Sequence, residues 1–120
     1  MHTPEKTRLR RTVDGLVARF PTFSFVPYRG LATGYVVDTM QTVCHWFFRG
    51  RSFEECLVGT VNQGGDADTT GAICGMLAGA YYGMEAIPKR WIKKMDRSVL
   101  AEIEKVTDKL VAASPLGGSL

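Results

Sequence analysis

The chain has 120 residues, 45% of them apolar and 22% charged, which bounds it to one small folded domain and excludes disorder. Thirteen glycines with no fixed repeat exclude a collagen-like chain, and three cysteines without a CxxC exclude a disulfide framework or a zinc knuckle. The net charge of +3 is uneven, with residues 1–30 and 89–120 basic and residues 31–88 acidic. Arginines and aromatics do not interleave at the basic ends, so these read as solvated helix faces and no nucleic-acid partner is expected. Free thiols at Cys44, Cys56 and Cys74, and no secretion signal at residue 1, point to a cytoplasmic protein.

In chain order, residues 5–19 read as a polar helix with Leu9, Val13 and Leu16 along one side. Phe20 to Leu31, punctuated by Pro21, Pro27 and Gly30, breaks that period and reads as an extended loop or short strand. A second helix is predicted from Asp38 as its cap, with Val43, Trp46, Phe47 and Phe48 as an apolar stripe ending at Gly50. Ser52 and Glu55 fit a capping box opening a third helix that carries Phe53, Cys56, Leu57, Val58 and Val61 and ends near Gly64-Gly65.

The next helix is predicted to begin within Asp66–Thr69 and run to about Gly83. The 16 uncharged residues between Asp68 and Glu85 are too few to span a bilayer comfortably and read as a buried helix, membrane pairing through GxxxG being the rival. Gly71, Gly75, Gly79 and Gly83 form an i, i+4 row, which implies close packing against another helix. Beyond Pro88, one or two amphipathic helices are expected, with Val99, Ile103, Val106 and Leu110 as a buried stripe and 114–120 as a flexible tail. The class is all-α.

The segment with the most chemical content is Asn62-Gln63-Gly64-Gly65-Asp66-Ala67-Asp68-Thr69-Thr70-Gly71. Carboxylates at i and i+2 with a hydroxyl beside them suit a hard cation such as Mg²⁺, Mn²⁺ or Ca²⁺. An aspartate at a helix start is equally a common cap, so both readings stand on residue type alone. An EF-hand is excluded because the twelfth position from Asp66 is Leu77, and a phosphate loop is excluded because no lysine follows the glycines. His45 beside Cys44 reads as a packing residue, since adjacent positions diverge on a helix.

The stretch GGDADTTGAICGMLAGAYYG resembles the ADP-ribosylglycohydrolase family, and the likeness continues through FPTFSFVPYRG, GYVVDTMQTVCHWFF and EAIPKRWIKKMDR. The resemblance implies a compact helical fold and hydrolysis of the N-glycosidic bond between ADP-ribose and a protein arginine. It further implies two Mg²⁺ or Mn²⁺ ions, with Asp66, Asp68 and Thr69 as metal ligands, and Gly34, Tyr35, Gly64 and Gly65 along the substrate pocket. An ADP-ribosylated protein is the implied partner, dinitrogenase reductase among the candidates. No particular catalytic residue follows.

One departure stands out: the family's other ligand motif, a Ser/Thr-Asp-Asp triplet, has no counterpart, since no Asp-Asp pair occurs in the chain. The chain therefore reads as the C-terminal part of such an enzyme, with residues 1–19 as a helix or leftover of the missing half and 20–113 as the glycohydrolase segment. Such a part is expected to be inactive alone, or completed by an N-terminal half. The alternative is a non-catalytic module that binds ADP-ribose or a partner.

Overall fold

A computed structural model describes residues 4–20 and 36–115. The predicted loop or strand at 21–31, together with Gly34 and Tyr35, lies outside the described residues. Six helices follow one another: α1 (Pro4–Arg19), α2 (Val36–Arg49), α3 (Phe53–Asn62), α4 (Ala67–Tyr82), α5 (Lys89–Lys94) and α6 (Arg97–Ala113), with a 3-10 turn at Met84–Ala86. The described residues contain no strand, in keeping with an all-α fold. The chain divides into two units, Met1–Ile87 and Pro88–Leu120.

In the first unit α2, α3 and α4 pack on one another. Their shared core is Val43, Phe47, Phe48, Phe53, Cys56, Cys74 and Ala78, with Thr42, Thr60 and Thr70 fully enclosed. Two of these threonines return their hydroxyls to the backbone, Thr60 donating to Cys56 O at 2.8 Å and Thr70 to Asp66 O at 3.1 Å, whereas the Thr42 hydroxyl has no partner among the described residues. All three cysteines are free and buried. Burial pushes the Cys44 thiol up to about 11, and raises Cys56 and Cys74 as well, so none is a ready nucleophile.

The glycine row of α4 meets a matching row of α3 running the other way. A methyl at Gly71 would face Val61, one at Gly75 would face Leu57, and one at Gly79 would face Phe53. This is i, i+4 rows in mutual contact, as the spacing implied. Only Gly71 is tight, at 3.2 Å; at Gly75 and Gly79 the distance is 3.9 Å, ordinary van der Waals contact. The glycines with no room to spare are elsewhere. A side chain on Gly59 would enter the ring of Trp46, and one on Gly50 would lie 2.5 Å from Cys56 Sγ. Trp46 thus rests flat on α3, and its indole N–H donates to Gln63 Oε1 at 3.1 Å.

Four expectations are corrected. Asp38 does not cap α2, which starts two residues earlier; the carboxylate sits in the first turn, where it still favours the positive end of the helix. Half of the Ser52 capping box forms: Glu55 N–H donates to Ser52 Oγ, but the Glu55 carboxylate accepts from Arg51 N–H. The α6 stripe is open, with Val99, Ile103, Val106 and Leu110 between 45% and 67% exposed, because amphipathic spacing marks a face without supplying its cover. On α4 only one face is enclosed; Met76 is 69% exposed.

Helix α1 adds a feature that its sequence does not mark: Leu9 and Leu16 are exposed and the buried residue is Lys6, at 2%. Its ammonium donates to Phe47 O, to Gly50 O at 2.8 Å and to the Tyr82 hydroxyl at 2.7 Å. It also lies over the Phe47 ring at 4.4 Å and the Tyr82 ring at 4.9 Å. A cation from α1 therefore closes the carbonyl end of α2, where the helix dipole is negative. Burial draws its pKa below the ordinary lysine value, while the surrounding acceptors and ring faces keep the charge tolerable.

Two predictions follow from this packing. Lys6→Met removes the shared donor of Phe47 O, Gly50 O and the Tyr82 hydroxyl, leaving them only the weaker Cys56–Phe47 and Tyr82–Gly50 bonds, and is expected to cost about 1–3 kcal/mol, read as a lower urea midpoint; an unchanged midpoint would show that the ammonium is dispensable. Gly59→Ala is expected to destabilise by about 1–3 kcal/mol, while Gly75→Ala is expected to stabilise by up to about 1 kcal/mol. A denaturation series on the two variants checks the ordering, and its reversal contradicts the assignment of the tight contact to Gly59.

Candidate functional site

The link between α3 and α4 is four residues, Gln63 to Asp66, and its shape is set by two glycines in the left-handed region, Gly64 at φ 82° and Gly65 at φ 72°. Side chains are strongly disfavoured there, so the Gly-Gly pair is required by the turn itself. The turn is pinned on both sides: Gln63 N–H donates to Gly59 O at 3.2 Å, Gly64 N–H to Val61 O at 3.2 Å, and Ala67 N–H to Gly65 O at 2.9 Å. The Trp46–Gln63 bond ties the same segment to α2.

The turn delivers Asp66 and Asp68 to the start of α4. Asp66 precedes the helix with φ −79° and ψ 63°, and its side chain makes no capping hydrogen bond. Asp68 lies one residue into the helix, exposed, and its carboxylate accepts from Thr69 N–H at 3.0 Å. A hydrogen bond from Asp66 is the largest influence holding the Asp68 carboxyl below the usual carboxylate range, followed by backbone N–H groups of Thr69 and Asp68. The two acidic side chains are therefore neighbours at the start of the helix. Thr69 is exposed beside them, whereas Thr70 is buried, with its hydroxyl returned to the backbone.

Two neighbouring carboxyl groups at a helix start place several oxygens within reach of one cation. Neither acid has an ion pair with Lys or Arg among the described residues, where the pairs are Arg10–Asp14 and Arg51–Glu55. The donor set is all oxygen, which matches a hard divalent ion. It is also partial: no group of three or more His, Cys, Asp or Glu gathers among the described residues. The residues present thus fit one side of a metal shell.

A separate cleft of about 970 Å³ opens along α3, lined by Trp46, Arg49, Arg51, Ser52, Glu54 and Asn62 among others. Asp66, Asp68 and Thr69 do not line it. His45 packs edge-on to Trp46 at 4.9 Å, and burial, then Arg49 and Arg10, lower its pKa, which leaves it a neutral packing residue. The supporting roles of Trp46, Gln63 and Lys6 escaped the sequence reading. Only the pairing of an aromatic with a glycine on the next helix hints at the first.

Compared with known proteins, residues 4–119 match the family model described as ADP-ribosylglycohydrolase. The chain is 50% identical over 107 residues to the ADP-ribosyl-[dinitrogen reductase] glycohydrolase of Rhodospirillum rubrum, an overlap of 89% of this chain and 36% of that protein. It is 32% identical over 84 residues to the ADP-ribosylarginine hydrolase Tri1 of Pseudomonas putida, covering 70% of this chain and 22% of the relative. The chain thus spans about a third or less of the length of these relatives.

Because the Asp66 hydrogen bond favours ionised Asp68, Asp66→Ala is expected to move the Asp68 titration upward toward the ordinary carboxylate range. The sign is that of a depressed acid: its contribution to stability is present above the unfolded value and is lost as pH falls through the folded one. Carboxyl-carbon NMR of the two chains reads the shift; an Asp68 curve that does not move would mean the pair is not in contact.

Proposed function

Because the chain belongs to the ADP-ribosylglycohydrolase family, we propose that it forms one side of the site of a metal-dependent hydrolase that cleaves the N-glycosidic bond between ADP-ribose and a protein arginine. The observation that carries this reading is that Asp66 and Asp68 stand side by side at an exposed helix start, with Asp66 not used as a cap. Asp66, Asp68 and the hydroxyl of Thr69 would hold the ion, Mg²⁺ or Mn²⁺. Bound there, a divalent cation supplies Lewis acidity and a fixed position for oxygen ligands.

The chain's own residues supply placement. The Gly64-Gly65 turn keeps backbone without side chains next to the acids, which leaves room for a ribose. Ribose hydroxyls are hydrogen-bond donors, and the outward carboxylate oxygens accept from them. Orienting the sugar in this way sets its anomeric carbon before the attacking water. The water oxygen bonds to that carbon, the bond from carbon to guanidine nitrogen breaks, and the leaving guanidine takes up a proton. The products are ADP-ribose and unmodified arginine.

Two acids and one hydroxyl fall short of the six oxygens that even one hard cation prefers. A complementary part would therefore bring the missing acidic ligands, along the exposed row Asp68, Ala72, Met76 and Ala80 of α4. The target is an ADP-ribosylated protein, with dinitrogenase reductase suggested by the Rhodospirillum relative's name. The same shortfall favours, as second reading, a module that binds ADP-ribose without hydrolysing it.

Calorimetric titration of the 120-residue chain with Mn²⁺ is expected to show weak, saturable binding that Asp66→Ala/Asp68→Ala abolishes. Turnover of ADP-ribosylarginine is expected to be absent from the chain alone, and to appear when a fragment carrying the Ser/Thr-Asp-Asp triplet is added. Binding unaffected by the double substitution would refute the metal assignment. Metal-independent heat with ADP-ribose, and no turnover with the fragment, would favour the binding module.

A further inference from the structure

The second unit presents a feature that the hydrolase reading does not use. Helix α6 is 17 residues long and capped by Asp96, whose carboxylate accepts from Ser98 N–H at 2.8 Å and Val99 N–H at 3.2 Å. Val99, Ile103, Val106 and Leu110 are spaced four, three and four apart, which is the seam of a two-helix coiled pair. Their exposures are 50%, 47%, 45% and 67%. A helix of this length is marginal by itself in water and gains its stability from a covered apolar face.

The charges beside the seam indicate which cover fits. Glu102 and Lys109 both flank it on the same side, one heptad apart, are exposed, and have no ion pair among the described residues. In an antiparallel pairing of two such helices, Ile103 of one packs against Val106 of the other, and Val99 against Leu110. Flanking positions of the same kind then face one another, so Glu102 meets Lys109 of the second helix and Lys109 meets its Glu102. A parallel pairing in register instead sets Glu102 near Thr107 and leaves both charges without opposites. The face is self-complementary only in the antiparallel sense, as a two-fold interface requires.

We propose that α6 is a dimerisation helix, pairing antiparallel with α6 of a second copy about an axis between Ile103 and Val106, held in register by two Glu102–Lys109 ion pairs. The interface is small, so association is weak and concentration-dependent. This inference stands independently of the proposed chemistry at Asp66 and Asp68.

Sedimentation of the full chain from about 5 to 500 µM tests it, that range bracketing the weak association expected of so small an interface. The expected result is a reversible shift toward twice the 13.2 kDa chain mass. Glu102→Lys and Lys109→Glu are each expected to weaken association about tenfold, by turning attraction into repulsion at two symmetric contacts. The combined Glu102→Lys/Lys109→Glu chain, which restores both pairs with signs exchanged, is expected to return to within about twofold of the parent. Neither residue is buried, so these substitutions leave the fold intact, which circular dichroism verifies. A chain that stays monomeric throughout, as when a different protein covers the face, overturns the proposal. So does a dimer indifferent to the single substitutions, or one that the double substitution fails to restore.

Discussion

The antiparallel seam between α3 and α4 is the constraint from which the rest of the first unit follows. Valine, leucine and phenylalanine at positions 61, 57 and 53 lie along the glycine row of α4, bringing the two helices close over their length. Closely packed antiparallel helices need a short connection, and a short connection with two left-handed residues needs glycine at both. The acidic pair is thus placed by packing far from it. Trp46 reinforces the arrangement from α2, with its ring on Gly59 and its N–H on Gln63, so three helices converge on one turn.

At the turn, helix formation and ligand binding compete for the same oxygens. A carboxylate at a helix start ordinarily satisfies backbone N–H groups. Asp68 does so in part through Thr69 N–H, whereas the Asp66 side chain makes no such bond. Two neighbouring carboxyl groups at the positive end of a helix make a small negative site. Lys6 represents the opposite solution: a single cation buried at the negative end of α2, with every donor used. Both cases follow from the same helix-end electrostatics, one open to a ligand and one closed by the chain itself.

How much of this was legible in the sequence depended on whether the determining signal was local. The bounds of α3 and α4, the Ser52 cap and the glycine row were readable because propensity, capping and spacing act within a few residues. The acids in the Gly64–Thr70 stretch were conspicuous for the same reason. Lys6 was not readable, because its partners are 41 to 76 residues away and a basic residue on a polar helix carries no mark of burial. The α6 stripe was read correctly as a pattern and wrongly as buried, since periodicity describes a face and not its neighbour. The tightness of Gly59 likewise depended on a tryptophan in another helix, which the regular row at 71, 75, 79 and 83 overshadowed.

The central proposal is that the turn between α3 and α4 offers acidic oxygens to a divalent cation. Paramagnetic broadening by substoichiometric Mn²⁺ in an amide NMR spectrum of the 120-residue chain tests it most directly. The account predicts broadening centred on Asp66 to Thr70 and fading along α4 toward Tyr82. Broadening centred on Glu54 and Glu55 or on the acids of α6, with the turn left sharp, would contradict it.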